Sequence, residues 1–85
     1  METYNSQVSD KEKNAAAIRV MRSMLTNYAT EKNEPFENVL LQFSKSNTYE
    51  LLFDFGTNVW REGPLYLRSL YDDELANRVK QSSQL

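Results

Sequence analysis

The stretch TYELLFDFGTNVWREGPLYL, residues 48–67, differs in composition from the rest of the chain. It contains both glycines, one of the two prolines and five aromatic residues: Tyr49, Phe53, Phe55, Trp60 and Tyr66. Aromatic side chains supply a large buried area per residue, and glycine and proline mark helix ends. The stretch therefore predicts a turn between two helices, placed against the core of a small protein.

The helices on either side of this turn follow from spacing and from end signals. Tyr49, Leu52 and Phe53 recur at helical spacing, and Gly56 is predicted to end their helix with a positive φ. Gly63-Pro64 is predicted to begin the last helix, because proline lacks only an N–H that the first helical residue does not use. The apolar stripe of that last helix consists of Leu67, Leu70, Tyr71, Leu75 and Val79.

The first half of the chain gives similar signals. Ser9 to Glu12 has the pattern of a capping box, which predicts a helix that runs to about Thr30 and stops before Asn33. Pro35 is predicted as the first residue of a second helix, whose apolar positions are Phe36, Val39, Leu40 and Phe43. After a polar break at residues 44–47, Asn47 and Glu50 repeat the cap pattern before the third helix.

The fold class follows from these helices. The chain contains no sustained alternation of apolar and polar residues and no Asn-Gly or Asp-Gly hairpin signal. We predict an all-α fold: a single domain over residues 1–85, built as a small bundle of four main helices with short loops. Residues 1–8 and 81–85 are expected to fray. The predicted buried cluster consists of Leu25, Leu40, Phe43, Leu52, Phe53, Leu67 and Leu70.

The amino-acid composition excludes several classes of function. The 85 residues include no cysteine and no histidine, so thiol chemistry, zinc–thiolate sites and the commonest general base are excluded. The net charge is −2 without a basic run, and the polar start lacks the apolar core of a signal peptide. We therefore expect a cytoplasmic protein with no enzymatic activity, no cofactor, no metal and no membrane partner. The acidic run Asp72-Asp73-Glu74 is interpreted as a solvated helix face, because consecutive residues on a helix point in different directions.

Trp60 is the main candidate for function, and two interpretations of it remain open. In the first, the indole covers the core, since a domain this small needs its largest apolar side chain buried. In the second, it anchors a partner from a loop, because tryptophan is enriched at the centres of interfaces. The candidate partner-binding residues are Trp60, Arg61, Glu62 and Tyr66.

A nucleic-acid-binding regulatory domain is the alternative function. Residues 36–55 give two short helices with a polar break, as in a helix-turn-helix. The second of these helices carries Glu50 and Asp54 but no lysine or arginine, which suits a core better than a DNA groove.

These features together resemble family 3791 of small bacterial domains of unknown function. The resemblance covers residues 15–78 and is carried by a short helix ending at Phe43, a Tyr49-x-x-Leu52 helix, Trp60 in the turn, and Glu62-Gly63-x-x-Tyr66-Leu67. Members of that family are often encoded beside toxin-like proteins, which would imply an antitoxin-like or other partner-binding role. The resemblance supplies no catalytic residue.

The sequence therefore favours a small helical protein that binds another protein. A homodimer is also predicted, through the first helix or the aromatic turn. The first helix carries Ile18, Met21 and Leu25 on one side and Val20 and Met24 toward another, more apolar surface than four packed helices are expected to cover.

Overall fold

The computed structural model describes residues 9–83, and the side chains of residues 9–78. Four α-helices occur in this part of the chain: α1 (Asp10–Lys32), α2 (Phe36–Ser44), α3 (Asn47–Phe53) and α4 (Pro64–Ser83). Two single 3-10 turns, Phe55–Thr57 and Val59–Arg61, connect α3 to α4, and the described residues include no strand. The predicted all-α bundle of four main helices is confirmed.

The predicted ends of α1 are confirmed. The Ser9 hydroxyl oxygen accepts a hydrogen bond from the Glu12 amide at 3.2 Å, and the Glu12 carboxylate accepts one from the Ser9 amide at 3.1 Å. The helix ends at Asn33, which has a left-handed backbone with φ 56° and donates its amide hydrogen to the Thr30 carbonyl. Asparagine tolerates this conformation better than most residues.

Two details of the middle helices were predicted wrongly. Pro35 precedes α2 instead of beginning it, because its ψ of 142° is extended. Ser46, not Asn47, caps α3: its hydroxyl oxygen accepts from the Tyr49 amide at 3.0 Å, while the hydroxyl donates to the Phe43 carbonyl at 2.6 Å. The break between α2 and α3 is accordingly only residues 45 and 46. Ser46 is fully buried, so its side chain lies within the core between α2 and α3.

The prediction for Gly56 is also wrong. The third helix ends at Phe53, and the next residue, Asp54, is extended and accepts a hydrogen bond from the Gly56 amide at 3.1 Å. Positive φ angles instead occur at Asn33, Asn58 and Gly63. Gly63, with φ 95°, directly precedes Pro64, and the predicted start of α4 is confirmed.

Most of the predicted core is buried. Leu25, Phe43, Leu52 and Leu67 are fully buried, whereas Leu40, Phe53 and Leu70 are partly buried and pack against the same cluster. Tyr71 of α4 and Met24 of α1 are also buried, and Val20 packs against the cluster. The second apolar stripe of α1 is therefore largely covered within one chain, which removes the reason given for a dimer through that stripe.

Some of the predictions concern residues that the structure does not describe. The side chain of Val79 and the fraying expected at residues 1–8, 84 and 85 lie outside the described part, while the backbone of residues 81–83 continues α4.

Candidate functional site

Trp60 lies in the second 3-10 turn, between α3 and α4, and its indole is held in place on several sides. Its Nε1 donates to the Phe55 carbonyl at 3.3 Å, and the Phe55 ring packs edge-on at 6.4 Å between centroids. The cationic groups of Lys13 and Arg61 each lie 5.9 Å from the indole centroid. The side chain is half-buried and packs against the core, so part of the ring covers the core and part is exposed.

The other predicted site residues follow Trp60 closely. Arg61 and Glu62 are exposed, and Tyr66 is 46% exposed in the first turn of α4. Leu65 is 84% exposed, the highest value among the exposed large apolar residues. We call Trp60, Arg61, Glu62, Leu65 and Tyr66 the α4-entry surface.

Sequence reasoning missed two members of this region. Leu65 falls off the apolar stripe of α4, and this position was the signal that could have identified it as exposed. Lys13 comes from the first helix, 47 positions before Trp60 in the numbering, and no local pattern connects them.

Glu74 has a role that the sequence did not indicate. Its carboxylate accepts hydrogen bonds from the amides of Asn47 and Thr48 at 2.9 and 2.8 Å, and from the Thr48 hydroxyl at 2.6 Å. Arg78 lies 2.6 Å from the same carboxylate, which is only 11% exposed. The interpretation of residues 72–74 as a solvated face is thus wrong for Glu74, although Asp72 and Asp73 are exposed.

The surroundings of Glu74 favour its charged form. Burial opposes ionisation, but the hydrogen bonds from Thr48 and Asn47 and the charge of Arg78 outweigh it, and they hold the pKa of Glu74 below its usual value. The carboxylate also lies at the amino end of α3, where the helix dipole favours a negative charge. Glu74 therefore joins α4 to the start of α3.

Arg68 makes a comparable connection between α4 and α1. Its guanidinium lies 2.7 Å from the Glu31 carboxylate and 3.0 Å from that of Asp72, and 4.7 Å from the centre of the Tyr28 ring. The hydrogen bond from Arg68 lowers the pKa of Glu31 and, with the bond to Asp72, raises the pKa of Arg68. These contacts of Arg68 connect the first half of α4, which carries Leu65 and Tyr66, to α1.

The structure also has two concave surfaces, one beside α1 and α2 and one between α3 and α4. An open cleft of about 860 Å³ lies where α2 leaves α1, lined by Arg22, Thr26, Ala29, Thr30, Asn33, Glu34, Pro35 and Phe36. A groove of about 390 Å³ lies between α3 and α4, lined by Asn47, Thr48, Leu51, Leu70, Asp73, Glu74, Asn77 and Arg78. Among the described residues, no group of three or more acidic side chains could hold a metal ion. None of the described helices is long and apolar enough to cross a membrane.

Comparison with protein-family models, with curated proteins and with solved structures finds no match to this chain. The resemblance to family 3791 therefore stays a prediction.

Proposed function

We propose that this chain is a small, non-enzymatic cytoplasmic protein that acts by binding another protein through the α4-entry surface. The observation that carries the proposal is the exposure of Leu65 and Tyr66, at 84% and 46%, a few residues after the half-buried Trp60 in the sequence. Tryptophan, tyrosine and arginine are the residue types that contribute most at protein interfaces, and Trp60, Arg61 and Tyr66 supply one of each.

The fixed position of Trp60 within this surface supports the proposal. Trp60 is held by its hydrogen bond to Phe55, and the backbone that follows is restricted by Pro64. A surface whose side chains are already ordered loses less conformational entropy on binding. Burying the exposed apolar side chains of this surface against a partner would add to the affinity of the complex.

The resemblance to the bacterial family 3791 points to the same kind of role. An antitoxin-like function would make the partner a toxin-like protein encoded by a neighbouring gene. The proposal does not depend on that identity, because it rests on the surface and not on the family.

The test is capture of partners by the tagged chain and by the double variant Leu65→Ser/Tyr66→Ser. We expect a partner to be retained by the parent chain and lost, by about tenfold or more, with the double variant. Leu41→Ser is the matched control, because Leu41 is 58% exposed on α2, outside the α4-entry surface. All three chains should remain folded, since Leu65 and Leu41 are mostly in water and Tyr66 is about half exposed.

Two results would count against this function. Equal retention of the same partner by the double variant would place the interface elsewhere. A gel shift with DNA at low salt and micromolar protein would favour the nucleic-acid alternative, because even non-specific DNA binding becomes strong under those conditions.

A further inference from the structure

The α3–α4 groove has an apolar floor and a polar rim. Leu51 of α3 is 41% exposed, and Leu70 of α4 is partly buried beside it. Asn47 and Asn77 are exposed at the edges, and Asp73 is exposed next to them. An apolar strip with polar edges is the usual form of a surface that receives a helix.

The described residues that line this groove carry more negative than positive charge. Within residues 9–78, Arg78 is the only basic side chain in its lining, and it is already paired with Glu74 at 2.6 Å. Asp73 makes no ion pair within residues 9–78. Glu50 and Asp54, exposed on α3 and at its end, do not line the groove but add negative charge to the same segment. A partner for the groove must therefore bring positive charge together with a small apolar surface.

The chain itself carries such a surface on α1. Lys11, Ala15, Arg19, Arg22 and Thr26 are all exposed and recur at intervals of four, four, three and four residues, so they share one face of the helix. We call this face the basic stripe. Between Lys13 and Glu31 the only charged residues are Arg19 and Arg22, both positive. Ala15 is small enough to let another helix approach closely.

The two surfaces also match in length. Ala15 to Arg22 is eight residues of α1, and Leu70 to Asn77 is eight residues of α4, so in each the two ends lie about 10 Å apart along the helix. In an antiparallel arrangement Ala15 lies opposite Asn77, and Arg19 and Asp73, one on each surface, are the pair that this alignment brings together.

We propose that the basic stripe of one copy of this chain docks in the α3–α4 groove of a second copy. The inference goes beyond the proposed function, because it uses residues outside the α4-entry surface. It also differs from the dimer predicted from the sequence, because that dimer used a second apolar stripe of α1, whereas charge complementarity drives the contact proposed here. The contact combines one apolar strip with exposed charges, so it is weak and weakens further as salt rises.

The experiment is sedimentation equilibrium at low salt with charge-reversed variants. The parent chain should self-associate at several hundred micromolar, and Arg19→Glu and Asp73→Lys should each weaken this association by about tenfold or more. An equimolar mixture of the two variants should restore association to within about threefold of the parent, because the reversed stripe of one fits the reversed groove of the other. Glu37→Lys and Arg61→Glu, matched charge reversals at exposed sites elsewhere, should leave the parent's association unchanged.

Three results would overturn the proposal. The first is a parent chain that stays monomeric at several hundred micromolar. The second is a mixture of Arg19→Glu and Asp73→Lys that associates no better than either variant alone. The third is an equal loss with Arg61→Glu, which would place the self-contact on the α4-entry surface instead. Capture of a different partner through Leu65 and Tyr66 is independent of the first two results, so each proposal can fail separately.

Discussion

Glu74 is the residue whose contacts best explain how α3 is held in place. Its carboxylate binds two amides and one hydroxyl at the start of α3, and it pairs with Arg78. Glu74→Gln keeps the shape but removes the charge, and it should lower the free energy of unfolding by about 2 kcal/mol, the range for hydrogen bonds to charged groups. Asp73→Asn is the matched control and should change little, because Asp73 is exposed. Equal midpoints in urea for Glu74→Gln and the parent would contradict this role.

The same carboxylate predicts how stability depends on pH. The pKa of Glu74 is lower in the folded protein than the ordinary value of 4.5, so the folded state holds its proton less tightly than the unfolded chain does. Its contribution is complete above about pH 4.5 and is lost as the pH falls through the folded-state pKa. Urea titrations at pH 7, 5, 4 and 3 should therefore show declining stability below about pH 4.5. The decline should be shallower for Glu74→Gln, and parallel curves for the two proteins would assign the acid sensitivity to other groups.

The two glycines should respond differently to replacement by alanine. Gly63 has φ 95° and no atom within 4 Å of an added Cβ, so Gly63→Ala should cost about 1 kcal/mol through backbone strain alone. Gly56 has no positive φ, and its added Cβ would meet only the Asp54 carboxylate, at 3.4 Å. Gly56→Ala should therefore be nearly neutral. Thermal melts of the two variants decide the matter, and the reverse order of their midpoints would show that the turn is described wrongly.

Among the elements, α3 depends most on the rest of the chain. It has only seven residues, and an isolated helix of that length is unstable in water because nucleation is costly. Ser46 caps it locally, Glu74 binds its first two amides from α4, and Leu52 buries it in the core. Its stability is therefore tertiary, which explains why its start was hard to place from the sequence.

The elements differ in how far local sequence determines them. The capping box at Ser9 and the left-handed end at Asn33 depend on residues within a few positions, and both were predictable. The contact between Glu74 and Thr48 joins residues 26 positions apart, and no periodicity reveals it. Gly56 was misjudged because Asn58 and Gly63 take the positive φ angles of that turn instead.

In the candidate site, too, the features that depend on nearby residues were predictable, and those that depend on long-range contacts were not. The aromatic turn with Trp60, Arg61, Glu62 and Tyr66 could be identified from composition alone, because aromatic residues and glycines are concentrated there. The half-burial of Trp60 depends on Phe55 and on Lys13 of α1, and the second of these contacts is long-range. The α3–α4 groove requires the relative position of two helices, which a helical pattern does not give.

In the whole molecule, a chain of aromatic rings joins all four helices. Tyr28 of α1 lies 5.7 Å from Tyr71 of α4, which lies 4.9 Å from Phe43 of α2. Phe43 in turn lies 5.9 Å from Tyr49 of α3, whose ring is 4.9 Å from Phe53. Edge-on and tilted aromatic pairs at these distances stabilise a fold beyond the area that they bury. Phe43 is the centre of this chain, since it is fully buried and contacts rings from two other helices.

This position makes Phe43 the most sensitive core residue of the whole domain. Phe43→Ala should lower the free energy of unfolding by about 3–5 kcal/mol, because it leaves a cavity where α2, α3 and α4 meet. Phe53→Ala should cost less, since Phe53 is only partly buried at the end of the ring chain. Leu41→Ala, on the exposed side of the same helix as Phe43, is the control and should change the free energy by less than about 0.5 kcal/mol.

The size of the Phe43 effect determines the outcome at the scale of the whole molecule. Small domains are stable by only about 5–15 kcal/mol, and a chain of 85 residues is expected toward the lower end. Removing 3–5 kcal/mol should therefore leave Phe43→Ala largely unfolded at moderate temperature, with loss of helical circular dichroism across all four helices at once. A variant that loses only part of the helical signal would show that α1 and α4 fold without the ring chain. A melting temperature within a few degrees of the parent would show that Phe43 is not the centre of the core.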